Sequence, residues 1–262
     1  TMKSISFIFI NIFEMPGESG TGSIMPSDFD YDTIPVGYYD DVYRRHRGIQ
    51  SKWHHMKFNF ARQMIPSGKH LDLACGTGTF LGTISEFRSQ QIGVDISFPQ
   101  IQEAKNRYGQ AGRNFLQSDI NTLPFREDTF DAVSALELIE HLPMHIAENA
   151  LTETFRVLKP GGTLVLTTPN YKSLMRIIEP MISWFGEVSY QDQHINKYIR
   201  SRLQESLALT GFVDISICGF LLFAPFFANL GWSLPEKIQK LEPDWATSRF
   251  GLLLSVCAKK PG

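Results

Sequence analysis

Short apolar segments alternate with longer amphipathic ones through most of this chain, and that alternation limits the possible folds more than any other feature. The segments typical of strands are 70–75, 91–96, 113–118, 131–136 and 162–168, followed by 212–218 and 251–260. The segments with helical spacing are about 79–88, 98–109, 144–158 and 197–210. Strands that alternate with helices form a parallel sheet with right-handed crossovers. The alternation therefore predicts an α/β fold.

The first predicted strand runs into a loop that contains glycine, 71-LDLACGTGTF-80. Gly76 and Gly78 allow the backbone to approach a ligand closely where the next helix begins. The dinucleotide fingerprint requires a third glycine, and Gly82 lies one residue too late for it. Asp72 would repel a pyrophosphate at short range but would attract a ligand that carries an ammonium group. The loop therefore favours a phosphate-free, positively charged nucleoside over a dinucleotide.

Two further aspartates stand at the ends of predicted strands. Asp95 ends the second strand in 92-IGVDIS-97, where a carboxylate can accept hydrogen bonds from both ribose hydroxyls. Asp119 ends the third strand, and it could accept a hydrogen bond from the amino group of an adenine. Dehydrogenases share the aspartate after the second strand but not the one after the third.

Taken together, residues 70–168 resemble the class I S-adenosylmethionine (SAM)-dependent methyltransferases. The motifs that carry the resemblance are D-x-A-C-G-T-G, G-V-D-I-S, S-D-I…L-P-F, D-T-F-D-A-V-S-A-L-E and V-L-K-P-G-G-T-L-V-L-T-T-P. The resemblance implies a doubly wound, Rossmann-like sheet of seven strands in the order 3-2-1-4-5-7-6, with strand 7 antiparallel. The chain departs from many members at Ala74, where they have glycine.

The resemblance also implies which residues would hold the cofactor. The loop from Asp72 to Gly78 would hold the methionine moiety, and Asp95 would bind the ribose. Ile96 would lie on the adenine face, and Leu136 would lie near the sulfonium. The predicted cofactor-binding residues are Asp72, Leu73, Ala74, Gly76, Gly78, Asp95, Ile96, Asp119, Ile120, Leu136 and Glu137.

Glu137, Glu140 and His141 follow the fourth predicted strand at spacings that share one face of a helical turn. This stretch resembles one in ubiquinone-biosynthesis O-methyltransferases and small-RNA 2′-O-methyltransferases, in which Glu-x-x-Glu-His can bind a divalent metal. Three readings stay open: ligands for Mg²⁺, a base or acceptor-positioning role for His141, and structural capping. His194 could face the same cleft. We predict that His141 and His194 are catalytic and that no metal is bound, with Mg²⁺ as the alternative.

Three regions are predicted along the chain. Residues 1–26 form a leader or linker, an added edge strand or partner contact, or a membrane-targeting segment. Residues 27–66 form a helical lid, in which His54 and His55 either help to cover the cofactor or belong to a packed amphipathic helix. Residues 67–262 form the SAM-binding domain, with insertions at 170–196 and 219–249 that shape a substrate site.

Charge and cysteine usage restrict the partners and the compartment. Lys and Arg number 25 against 27 for Asp and Glu, which argues against a nucleic-acid partner, and the basic stretch 44-RRHR-47 is typical of a solvated helix face. Three widely separated cysteines without a Cys-x-x-Cys motif indicate a reducing, cytoplasmic location. The apolar stretch 220-FLLFAPFFANLGW-232 has three readings: part of an acceptor channel, an interfacial helix that contacts a membrane, or a helix packed in the fold or in a dimer.

The sequence thus predicts a SAM-dependent methyltransferase that releases S-adenosylhomocysteine. Its acceptor is predicted to be a small molecule of apolar character that is methylated at oxygen, by a monomer or a homodimer. Three alternatives remain: methylation of RNA or protein, a SAM-binding protein without catalysis, and a dehydrogenase.

Overall fold

The computed structural model describes residues 35–84, 90–109, 112–175 and 194–262. Several predictions fall wholly or partly outside these residues. They are the leader or linker over 1–26, the start of the lid, the end of the first predicted helix and most of the insertion at 170–196.

Seven strands form one sheet in the order β3-β2-β1-β4-β5-β7-β6. They are β1 His70–Leu73, β2 Gln91–Asp95, β3 Arg113–Gln117, β4 Phe130–Leu136, β5 Leu158–Pro169, β6 Val213–Phe220 and β7 Leu253–Lys259. The first five pair in parallel, and β7 runs antiparallel to both of its neighbours. The predicted strand order and the antiparallel seventh strand are confirmed.

The helices, numbered here in chain order, are α1 Tyr38–Arg44, α2 Gly48–Met64, α3 Thr79–Gly82, α4 Phe98–Tyr108, α5 Met144–Val157, α6 Arg200–Thr210, α7 Leu234–Gln239 and α8 Asp244–Phe250. Two 3₁₀ helices lie at Ile139–His141 and Ala224–Leu230. Among these elements, no helix combines the length and the apolar character needed to cross a membrane.

Some boundaries differ from those that the sequence predicts. Residues 37–65, whose spacing predicts one or two helices, form the two helices α1 and α2, which are separated at His46, where a φ of 49° does not continue a helix. Strand β5 begins at Leu158 rather than at Gly162, because the Lys-Pro-Gly-Gly stretch continues the strand. The insertion at 219–249, for which the sequence offers a helix only over 220–232 as one of its readings, contains three short helices.

Helices cover both faces of the sheet because side chains alternate along each strand. On one face, Leu164 and Leu166 of β5 belong to the largest apolar cluster, which includes buried residues of α5 and α6. On the other face, Val165 belongs to a cluster with Phe58 and Ala61 of α2. The sheet is therefore doubly wound, as predicted.

Helices α1 and α2 are attached to the sheet domain by a buried carboxylate. Asp40 of α1 is fully buried and accepts hydrogen bonds from Arg44, Arg107 and Tyr108, the last two on α4. Burial raises the pKa of Asp40, but the hydrogen bonds from Tyr108 and Arg107 outweigh it, so that its pKa lies below the usual value. This charged anchor holds the N-terminal helices beside the glycine loop.

We expect Gly78→Ala to destabilise the fold through a steric clash. A methyl group at Gly78 would lie 2.5 Å from the Phe115 ring, whereas one at Gly161 would meet nothing within 4 Å. The two glycines have nearly equal φ values, 75° and 76°, so Gly161→Ala is a matched control for backbone strain. Urea unfolding should show that Gly78→Ala costs about 2 kcal/mol more than Gly161→Ala. Equal losses would show that Phe115 does not constrain the loop.

Candidate active site

A cavity of about 270 Å³ opens at the carboxyl ends of β1, β2 and β4. Parallel strands bring their carboxyl ends to one edge, where ligands of open α/β sheets bind. Most of the predicted site residues line this cavity: Asp72, Leu73, Ala74, Gly76, Asp95, Leu136, Glu137, His141 and His194. The structure therefore brings the residues with predicted cofactor roles next to those with predicted catalytic roles.

Four predicted residues are not part of the cavity lining. Gly78 lies against Phe115, and the Ile96 side chain is exposed. Asp119 is exposed and accepts two hydrogen bonds from Asn121, while Ile120 packs against the main apolar cluster. Their roles toward a cofactor stay predictions.

Asp95 links the two loops at this edge of the sheet. One carboxylate oxygen, Oδ2, accepts a hydrogen bond of 2.8 Å from the amide of Gly76, and Oδ1 accepts one of 2.9 Å from the amide of Ser97. Both loops are thereby fixed relative to each other. The carboxylate faces the cavity already oriented by the backbone.

Asp72 is buried at the floor of the same cavity. Its Oδ1 accepts a hydrogen bond from Ser134 Oγ, which in turn lies 2.9 Å from His70 Nε2. Burial raises the pKa of Asp72 to about 7, with the Asp95 charge adding to the rise and the Ser134 hydrogen bond opposing it. A cation that entered the cavity would favour the ionised form of this carboxyl group.

Helix α2 supplies part of the wall and a buried cation that the sequence analysis missed. Lys57 is almost fully buried and forms an ion pair with the half-buried Glu137. Burial raises the pKa of Glu137, but the charge of Lys57 and its hydrogen bond outweigh burial and lower it overall. Trp53 also donates a hydrogen bond to Glu137. The available signal was that Lys57 lies four residues after Trp53, on the same helical face.

Helix α2 also places a buried histidine, His54, at the cavity. Burial and the nearby Lys57 lower the pKa of His54 to about 3, so its ring is neutral. Its Nδ1 has no hydrogen-bond partner among the residues described. His55 faces elsewhere, stacked on Tyr43 with ring centroids 3.9 Å apart. A lid function for this helix stays a prediction.

Glu140, His141 and His194 form a compact cluster beside the apolar part of the cavity. Each offers one ligand atom, and these atoms lie within 4.8 Å of one another. Glu140 Oε2 accepts a hydrogen bond of 2.9 Å from Thr168, while Oε1 has no partner within the described part of the chain. Burial raises the pKa of Glu140 to about 7, although the nearby His194 opposes the rise. His194 Nδ1 lies 2.8 Å from the hydroxyl of Tyr171.

This cluster differs from the ligand set considered from the sequence. Glu137 is not part of it, because its carboxylate is paired with Lys57. Two imidazoles and one carboxylate suit zinc, manganese or ferrous iron better than Mg²⁺, which prefers oxygen ligands. The unpartnered Oε1 of Glu140 fits a cation or a hydroxyl donor equally well. Glu140, His141 and His194 are therefore the residues that could hold a metal here.

Comparison with known proteins agrees with this geometry. Residues 71–166 match the family described as a methyltransferase domain. The ubiquinone/menaquinone biosynthesis C-methyltransferase of Desulfotalea psychrophila is 32% identical over 197 residues, which are 67% of this chain and 77% of that protein. An O-methyltransferase of Pyrenophora dematioidea is 33% identical over 138 residues, 50% of this chain and 51% of that protein.

A solved structure shows the same fold. The SAM-dependent methyltransferase of Thermotoga maritima superposes with a TM-score of 0.63 at 19% identity. The superposition covers 86% of this chain and 95% of that one.

We expect Asp72→Asn to make the protein more stable than the native chain at pH 8 but not at pH 4. A carboxyl group whose folded pKa is raised contributes stability that is full below its ordinary value of 3.8 and is lost as the pH rises through about 7. Asparagine carries no such dependence. The difference in the free energy of unfolding should shift in favour of the variant by at least about 1 kcal/mol across this range.

Urea unfolding at several pH values measures this difference. Asp244→Asn, at an exposed carboxylate of α8, serves as the control and should show a difference that varies little with pH. A flat difference for Asp72→Asn would contradict the raised pKa of Asp72.

Proposed function

The chain belongs to the class I SAM-dependent methyltransferases, and from that premise we propose that it methylates a hydroxyl oxygen of a small, apolar molecule. The single observation that carries the proposal is the composition of the cavity. Its lining combines carboxylates suited to a cationic nucleoside with a Glu-His-His cluster and apolar side chains.

The cofactor side of the cavity is assigned to Asp72 and Asp95. Asp72 would pair with the ammonium group of SAM, since the attraction between a carboxylate and a cation is strongest where both are shielded from water. Asp95 would accept hydrogen bonds from the ribose hydroxyls, and its fixed orientation supports this role. Leu136 would lie beside the sulfonium, between this side and the acceptor side.

The acceptor side is assigned to the apolar lining and to the cluster around Glu140. Trp53, Leu138 and Met175 line the cavity, and each is buried. An apolar molecule would displace water from these side chains. Within this side, Glu140, His141 and His194 provide the groups that can bind a hydroxyl. The chemistry therefore favours an apolar acceptor with a phenolic or enolic hydroxyl.

Methyl transfer is an in-line displacement that these residues would assist through a proton transfer. His194 takes the hydroxyl proton while the acceptor oxygen attacks the methyl carbon. The C–S bond breaks, its electron pair stays on sulfur, and S-adenosylhomocysteine and the methyl ether result. Glu140 would stabilise the protonated His194, and Tyr171 would hold its ring, as in other carboxylate–histidine pairs. His141 would help to hold the hydroxyl, and the proton then leaves to solvent.

A metal at Glu140, His141 and His194, when bound, would lower the pKa of the acceptor hydroxyl. The proton transfer derived above does not depend on it.

Methylation at carbon is a second candidate function, because the Desulfotalea relative is named a C-methyltransferase and is matched over most of its length. Loss of the proton from a phenol or an enol places negative charge on ring carbons as well as on oxygen. The same base would therefore serve either reaction, and the pose of the acceptor before the sulfonium would decide between them.

We expect SAM to bind with micromolar affinity and Asp95→Ala to weaken binding about 100-fold, because two hydrogen bonds to a charged acceptor are lost. Isothermal titration calorimetry measures both affinities. Asp244→Ala, at an exposed carboxylate on α8, should bind SAM as the native protein does. No detectable binding of SAM to the native protein would refute the proposal.

We expect His194→Ala to reduce kcat by a factor of about 10² to 10⁴, with unchanged affinity for SAM, because it removes the proposed base. The assay uses SAM with an isotopically labelled methyl group, first with a cell extract and then with the purified acceptor. Mass spectrometry identifies the labelled product, and NMR assigns the methyl group to oxygen or carbon. His145→Ala, at an exposed histidine on α5, is the matched control.

Treatment with EDTA tests the metal reading in the same assay. Activity that survives chelation supports His194 as the base. Activity that is lost and then restored by added manganese or zinc would assign the cluster to a metal instead, and normal turnover by His194→Ala would remove this residue from the reaction.

A further inference from the structure

The chain between β6 and β7 exposes large apolar side chains on its outer surface. Leu230, Leu241 and Trp245 are 76%, 81% and 70% exposed. Exposed leucines are common singly, but a group of them with tryptophan marks an interaction surface.

These side chains lie on neighbouring elements. Helix α7 packs against the 3₁₀ helix Ala224–Leu230. Glu242, just after α7, accepts hydrogen bonds of 2.7 and 2.8 Å from the amides of Phe223 and Ala224. Leu241 is thereby held beside the start of the 3₁₀ helix that ends at Leu230. Trp245 follows directly, in the first turn of α8.

The basic stretch 44–47 reaches the same region. The ring centroid of His46 lies 5.5 Å from that of Trp232, which brings the stretch with the exposed Arg45 and Arg47 to the segment that contains Leu230. Lys237, Lys240 and Arg249 add positive charge and outnumber the exposed Asp244. Glu236 pairs with Lys52 at 2.6 Å, and Glu242 is bonded to the two backbone amides named above. The surface formed by Leu230, Leu241, Trp245, Arg45 and Arg47 is called the apolar–basic face below.

We propose that the apolar–basic face docks this protein on a membrane surface that carries anionic lipid headgroups. Leucine and tryptophan side chains enter the boundary between headgroups and acyl chains, and the flanking cations pair with the headgroups. An anionic membrane surface therefore provides contacts for both the apolar and the basic residues of the face.

A second copy of the chain and an RNA fit this face less well. A two-fold interface would pair this face with itself, and the face carries too few carboxylates to match its cations. An RNA would engage the arginines but would leave Leu230 and Leu241 without a matching contact, since bases stack on aromatic rings and pair with polar groups. Both occupants are outcomes of the test below.

The inner side of the same segment packs against residues of the cavity wall. Phe226 and Ile238 belong to an apolar cluster with Trp53 and Met175, which line the cavity. Docking would thus bring the acceptor side close to the membrane. This consequence rests on the proposed apolar acceptor, whereas the docking itself does not.

Co-sedimentation of the full chain with lipid vesicles tests the proposal, without acceptor or SAM. Vesicles of phosphatidylcholine are compared with vesicles that contain about one third phosphatidylglycerol. We expect binding to the anionic vesicles. It should be roughly tenfold or more weaker for Leu230→Ser/Leu241→Ser/Trp245→Ser. Arg45→Gln/Arg47→Gln should also weaken it and reduce its dependence on salt.

Leu209→Ser is the matched control, because Leu209 is 82% exposed on α6, near the opposite end of β6. Thermal unfolding verifies that every variant is folded, and calorimetry with SAM tests the proposed function separately. Three results would overturn the proposal. They are no vesicle binding at low salt, equal vesicle binding by the native chain and the triple serine variant, and light scattering that shows a dimer for the native chain and a monomer for the triple serine variant. Steeply salt-dependent RNA binding in place of vesicle binding would assign the face to RNA.

Discussion

Four carboxyl groups meet at the carboxyl edge of the sheet, and their mutual repulsion is the constraint on which the site depends. Each is stabilised differently. Asp95 accepts hydrogen bonds from two backbone amides, and Glu137 pairs with Lys57. Glu140 is bonded to Thr168 and lies near His194. Asp72 accepts a hydrogen bond from the Ser134 hydroxyl, and burial raises its pKa to about 7, as it does for Glu140. These two buried carboxyl groups therefore have the least compensation for a negative charge, and in the proposed function the cationic cofactor would supply it at Asp72.

The ion pair between Lys57 and Glu137 explains why α2 belongs to the site although it precedes the sheet in the chain. Both partners are shielded from water, and removing either one would leave an uncompensated charge in a partly buried place. The pair thereby holds Trp53 and His54 against the cavity. Asp40 likewise fixes α1, because it accepts hydrogen bonds from Arg107 and Tyr108 of α4. The N-terminal helices are thus fixed by these charged contacts, by the ion pair of Lys52 with Glu236 of α7, and by apolar packing of Phe58.

Sequence alone predicted the sheet order through the resemblance, and it predicted the aspartates at the ends of β1 and β2, because these features are local and recur with fixed spacing. It did not predict Lys57, since the contact with Glu137 joins residues eighty positions apart. The cluster of Glu140 with His194 likewise depends on how the chain returns to the sheet after β5. Gly78 shows a different limit: its place in the motif predicts a ligand contact, and the structure adds that a Cβ at this position would meet the Phe115 ring. Spacing identifies a glycine loop, but it does not predict which of its glycines packs against a core side chain.

The segment between β6 and β7 packs near the cavity on one side and is exposed on the other. Its apolar composition was compatible with a channel, an interfacial helix or a packed helix, and the structure shows that one segment has two differing sides. Phe226 and Ile238 pack inward against the cavity wall, while Leu230 and Leu241 are exposed to solvent. Transfer of the exposed apolar side chains from water into a membrane boundary costs no desolvation of polar groups. The basic residues beside them can then pair with a negatively charged surface. The charged cofactor and the proposed apolar acceptor would impose opposite requirements on one cavity. The fold combines carboxylates near the strand ends with apolar side chains such as Trp53 of α2, and this segment packs against them from outside the cavity.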